Sequence, residues 1–153
     1  MPIYNQGIAG NTTSQMLARF GDVLATGGQT VAIMGGTNDC KVGSPTNESV
    51  GNVAAMVAQA QAAGRAVALI GPIPRANTTN AGLSFTPCLL SLRAALRDYA
   101  KSHRLAFVDP WALFGGPGIK LELYEDGTHP DARGAFLLAR LVARTLGWGF
   151  END

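Results

Sequence analysis

The sequence predicts an α/β domain built on a doubly wound parallel sheet, and three observations predict it. Short apolar runs alternate along the chain with segments of helical period. Three of these runs alternate little and are bounded by Gly, Pro or Asp, as strands buried on both faces are. Polar clusters follow the runs, where sites collect in such sheets, at the carboxyl ends of the strands. With 153 residues, 46% of them hydrophobic and 15% charged, the chain is long enough for one domain with a real core and too apolar for disorder.

The first strand is read at Ile3 to Asn5 and is followed by "NQGIAGNTT". Thr13 to Ala25 carries Met16, Leu17, Phe20 and Leu24 on one face and is read as a single helix. "TVAIM", Thr30 to Met34, is the second strand, and "GGTNDC" follows it as a turn. Ser49 to Ala63 is an Ala-rich helix closed by Gly64 in the manner of a C-cap. "AVALI", Ala66 to Ile70, is the third strand, and the polar "GPIPRANTTN" after it runs into the irregular stretch Arg75 to Pro87. A helix over Leu89 to Ala100 leads to the fourth strand, "LAFV", Leu105 to Val108. The second long irregular stretch, Trp111 to Asp131, contains "DGTHP". Pro130 and Asp131 then start the last helix, Ala132 to Leu146, with Phe136, Leu137, Ala139, Leu141 and Val142 as its apolar set.

Twelve Lys and Arg against eleven Asp and Glu leave a net charge of +1, which invites neither nucleic acid nor an anionic membrane. A neutral small molecule or sugar suits it better. No apolar run reaches the length of a membrane span, and the first residues have no signal-peptide pattern, so the chain as given reads as soluble. Cys40 and Cys88 have no companion His or Cys at zinc spacing and are expected as buried thiols, ahead of a single disulfide and then of a reactive thiol. No metal or cofactor is expected. A nucleotide or flavin site is disfavoured, because the first strand-to-helix loop has no Gly-x-Gly-x-x-Gly or Walker pattern.

Asp126 and His129 stand three residues apart just ahead of an apolar helix. His129 has the chemistry of a general base and Asp126 that of the group that orients it, although Asp-Gly followed by Pro is also ordinary turn chemistry. Gly10 can bring a backbone N–H close to a ligand, or simply make a turn before an Asn11 or Thr12 N-cap. Asn38 can donate an amide hydrogen bond into a cleft while Asp39 steadies the turn; the alternative is an Asx turn. His103 suits a helix C-terminus, and Trp111 and Phe114 suit core better than a substrate wall. Asn11, Asn47 and Asn77 begin glycosylation acceptor patterns with no sign of a secretory route.

Taken in order, these pieces resemble the SGNH (GDSL-type) hydrolases, a family of flavodoxin-like serine esterases that includes lipases, thioesterases and many carbohydrate O-deacetylases. "YNQGIAGNTTSQMLARF" is similar to the family's second block, "VAIMGGTND" to its third and "YEDGTHPDARGAFLLARLV" to its last. The resemblance implies that Gly10 and Asn38 form the oxyanion hole and that Asp126 and His129 belong to the catalytic triad. It implies a small ester or an acylated carbohydrate as substrate.

One block is missing. The family carries its nucleophile in a Gly-Asp-Ser motif at the end of its first strand, a strand and a crossover helix ahead of the second block. A parallel crossover needs roughly a dozen residues, and only nine precede Gly10. Gly21-Asp22 is followed by Val23, and the tail "GWGFEND" has no serine. Ser14, Ser44 and Ser84 are weak substitutes, with Ser14 nearest the expected cleft. The expectation is a single SGNH hydrolase-like domain over residues 1–153, short of the family's first strand and first helix, with its nucleophile outside the chain and little activity alone. That strand belongs between Ile3 to Asn5 and Thr30 to Met34. Those two must close the gap, or an upstream segment or second chain must fill it. The alternative is a catalytically inactive SGNH-like module that binds carbohydrate or packs into a larger assembly.

Overall fold

The computed structural model of the chain describes residues 2–75, 86–116 and 118–148. Helices α1 (Thr13–Ala18) and α2 (Phe20–Ala25) precede strand β1 (Thr30–Met34). Helices α3 (Thr37–Val42) and α4 (Thr46–Ala62) lead to β2 (Ala66–Ile70), α5 (Thr86–Ser102) to β3 (Ala106–Val108), and a 3₁₀ turn at Leu121–Leu123 to α6 (Ala132–Thr145). The three strands are parallel in the order β1-β2-β3, with Ile33 opposite Leu69 and Ile70 opposite Val108.

Side-chain alternation divides the sheet into two faces. Ile33, Val67 and Leu69 point into the larger core, where they meet Phe20, Val53, Met56, Val57, Leu92 and Leu96 from α2, α4 and α5. Ala68, Ile70 and Val108 alternate to the other face and are buried there, where α6 lies against β3. A smaller cluster of Ile73, Phe114, Leu123 and Tyr124 fills the space under α6, against Leu137 and Leu138. The doubly wound arrangement is therefore present, but cover is uneven. On β1, Ala32 and Met34 remain exposed, and Phe136 of α6 is 56% exposed.

Four expectations need correction. Ile3 to Asn5 is not a strand: Ile3 is 83% exposed, and Asn5 Oδ1 instead accepts the Gly7 N–H at 2.9 Å. Three residues hold strand geometry only against a ladder partner, and β1 does not pair with them, so the gap expected beside β1 is not closed by these two segments. The helix over Thr13 to Ala25 is two helices, because Arg19 leaves the helical region at φ −111°, ψ 11° while its Nε donates to Asn11 Oδ1. The turn at "GGTNDC" continues into the short helix α3. Cys40 and Cys88 are not free thiols but a disulfide between α3 and the first turn of α5. Those two elements bring the Cα atoms to 5.7 Å, within bonding range.

Candidate active site

Because all three strands are parallel, the segments that leave their carboxyl ends emerge on one side: Gly35-Gly36 into α3, Gly71 to Arg75 after β2, and Asp109 to Trp111 after β3. Gly10 sits at φ 80°, a conformation a side chain disfavours, in the turn where Asn11 N–H donates to Ile8 C=O. The turn opens α1 through a capping box: Gln15 N–H donates to Thr12 Oγ1 and Thr12 N–H to Gln15 Oε1. Asn38, in the first turn of α3, donates from Nδ2 to the Asn11 C=O at 3.0 Å. The residue next to Gly10 and the side chain of Asn38 are thus in direct contact.

The Asp126–His129 loop is built like the tip of a small hairpin. Tyr124 and Pro130 form an antiparallel bridge, Glu125 N–H donates to His129 C=O, and Asp131 N–H donates to Leu123 C=O. Behind it, α6 comes so close that a Cβ on Gly134 would stand 2.3 Å from the Leu123 carbonyl oxygen. Glycine is required there. Inside the loop, Asp126 Oδ1 accepts from Thr128 N–H at 2.9 Å and His129 N–H at 2.8 Å, and Oδ2 lies 2.8 Å from His129 Nδ1.

These bonds hold the Asp126 carboxyl down at about 2, through the His129 N–H first, then the imidazole, then the Thr128 N–H. An ionised Asp126 accepts a hydrogen bond from Nδ1–H, which leaves Nε2 as the acceptor of a neutral imidazole. His129 is 70% exposed and Asp126 52%. Such a pair is ready to accept a proton from a hydroxyl. No serine hydroxyl among the described residues is bonded to His129.

Two residues that the sequence did not single out hold this loop. Tyr124 donates its hydroxyl to the Pro74 C=O at 2.5 Å and packs edge-on against Phe114. Burial pushes its pKa up. Arg75 donates from Nη2 to Thr128 Oγ1 at 3.1 Å; burial lowers its pKa and the Asp126 charge opposes that shift. The only hint in the sequence was their place in polar stretches after strands.

Ser14 is exposed on α1, and Ser44 follows α3 with its N–H on the Asp39 C=O. Ser84 and Asn77 lie outside the described residues. Asn11 is half-buried and Asn47 exposed. His103 stacks on Tyr99 just past the end of α5 and bonds the Tyr99 C=O, a helix-end role. Trp111 and Phe114 are core. Among the described residues there is no group of three potential metal ligands, and no helix is long and apolar enough to cross a membrane.

The fold is that of the doubly wound α/β hydrolases of SGNH type. A family model described as the GDSL-like lipase/acylhydrolase family matches residues 1–136, and the chain belongs to that family. No curated protein matches it by sequence. Among solved structures it is similar to a GDSL-like lipase from Bacteroides thetaiotaomicron, with 26% identity and a TM-score of 0.85 over 93% of this chain and 74% of that one. A putative acylhydrolase from Bacteroides fragilis is also 26% identical, with a TM-score of 0.82 over 93% of this chain and 73% of that one. An acetylxylan esterase from Geobacillus stearothermophilus shares the fold at 24% identity and a TM-score of 0.80, over 97% of this chain and 74% of that one. The chain therefore spans about three quarters of the length of these structures.

Proposed function

We propose that this chain carries the base and the oxyanion hole of an SGNH esterase that hydrolyses small acyl esters, such as carbohydrate O-acetyl groups. Its nucleophilic serine comes from residues outside the 153. The contact of Asp126 Oδ2 with His129 Nδ1, with Nε2 left to accept a proton, carries the reading. In the reaction the serine Oγ attacks the ester carbonyl as its proton passes to His129 Nε2, and Asp126 stabilises the imidazolium. The tetrahedral oxyanion is met by the Gly10 N–H and the second Nδ2 proton of Asn38, each donor contributing roughly 3 kcal/mol. His129 returns the proton to the leaving alcohol; water then repeats the sequence and frees the acid and the serine.

The serine needs a carrier, and β1 offers a place for one. Its outer edge is unpaired by any described strand, and Ala32 and Met34 of β1 leave an exposed apolar surface on one face of the sheet beside that edge. A parallel strand on that edge, followed by a helix over that surface, would bring the end of the added strand to the side where Gly36 and Asn38 lie. Whether this unit precedes the chain or belongs to another chain, it completes the same site. That no described serine is hydrogen-bonded to His129 favours a second reading, a carbohydrate-binding module without catalysis.

Acetylated xylo-oligosaccharide separates the two. With a serine-bearing strand and helix supplied, the esterase releases acetate, and His129→Ala lowers the rate by roughly 10³-fold or more. Binding of the sugar with no acetate released, and no difference between His129 and the Ala variant, would support the module instead.

A further inference from the structure

The buried polar and charged side chains of the described residues are Thr13, Asp39 and Ser49, at 0%, 3% and 2% exposure, and all three meet at one point. Asp39 Oδ1 accepts from Thr13 Oγ1 at 2.5 Å and from Ser49 Oγ at 3.0 Å, and Oδ2 accepts from Thr13 N–H at 2.8 Å. Thr13 Oγ1 in turn accepts from Asn52 Nδ2 at 3.0 Å. A carboxylate out of water is tolerated only when its oxygens are met by donors, and here three donors from α1 and α4 converge on it. Asp39 does more than steady its own turn.

We propose that Asp39 is the positioning residue of the oxyanion hole, fixing the spacing of Gly10 and Asn38 by holding Thr13; this rests on the reading of those two residues as oxyanion donors. The contacts close a ring. Asp39 grips Thr13, the chain runs back through Thr12 to Asn11, the Asn11 C=O takes one Nδ2 proton of Asn38, and Asn38 is bonded to Asp39. Gly10 is the next residue out from Asn11. The ring thus spends one proton of the Asn38 amide to aim the other, and sets how far that amide lies from the Gly10 peptide. An amide in place of the carboxylate would turn an NH₂ towards a donor of Thr13 or Ser49 and open the ring at its narrowest place. The Cys40–Cys88 disulfide ties α3 to α5 through a bond in which none of these residues takes part.

The test uses the full ¹⁵N-labelled chain. In Asp39→Asn and in Thr13→Val, exchange of the Asn38 side-chain amide protons accelerates by about tenfold or more, and their two shifts move together towards those of a free carboxamide. Amides of Val67, Ala68 and Leu69 in β2 keep their protection, and Thr13→Ser, which retains the hydroxyl, keeps the Asn38 signals of the unmodified chain. Unmoved Asn38 signals in Asp39→Asn would overturn the proposal. So would an equal loss of protection in β2, which marks a purely structural role, or a Thr13→Ser chain that behaves as Thr13→Val does. Failure of the esterase reading has a different signature: no acetate release from the completed protein, with these resonances responding as described.

Discussion

At the scale of single residues, the Asp126–His129 pair was legible because it is local. Both members lie within four residues, and the Asp-Gly turn, whose ordinary role competes with a catalytic one, is also the device that folds them together. The contact of Asn38 with the peptide after Gly10, and the grip of Asp39 on Thr13, span 27 and 26 residues, and no periodicity or spacing in the sequence encodes them. Arg75 and Tyr124 were missed for the same reason, since each earns its place through a partner about fifty residues away. The electrostatics of the loop make a direct prediction. Asp126 titrates at about 2, below the ordinary carboxylate value, because its charged form accepts three hydrogen bonds. A depressed carboxyl pKa means that the stabilisation these bonds provide is complete above the ordinary value of about 3.9 and is lost as pH falls through about 2. Carboxyl ¹³C NMR of Asp126 should therefore give a midpoint at about 2, and a midpoint at the ordinary value would show the loop bonds to be absent in solution.

At the scale of elements, β1 and β2 were read with their observed bounds because apolar, β-branched runs between Gly, Pro and Asp leave little choice. Ile3 to Asn5 looked similar, but three residues do not define a period, and whether they form a strand depends on a neighbour they do not have here. The six-residue α3 was invisible for a related reason: it shows less than two turns of pattern and starts after Gly35-Gly36, which reads as a turn. Missing α3 also hid the disulfide, because only that helix places Cys40 beside Cys88. The bond joins residues 48 apart, packs against Leu89 and Trp111, and holds the element that carries Asn38. Replacing both cysteines with Ser should cost about 3–4 kcal/mol, or roughly 10 °C in Tm. An unchanged Tm in the double variant would mean that the bond does not form or that its reduced state is equally well packed.

For the whole molecule, the near-neutral charge and the α/β alternation were enough to place the chain in its class, and the order of three motifs to place it in its family. What those features could not convey is how incompletely the sheet is covered. The larger core is well filled by α2, α4 and α5, whereas the other face is covered at β3 by α6 and left open at β1. The open β1 edge, and the lack of any described serine bonded to His129, fit the proposed strand and helix from outside these 153 residues, which would supply both cover and nucleophile. The measurement that tests this most directly is intact mass after treatment with a fluorophosphonate, with peptide mapping, on the chain alone and on the chain joined to a strand–helix segment bearing Gly-Asp-Ser. The chain alone should give no adduct, and the joined protein a single adduct on the serine of the added segment, lost in His129→Ala. An adduct on Ser14, Ser44 or Ser84, or no adduct on either protein, would contradict the proposal.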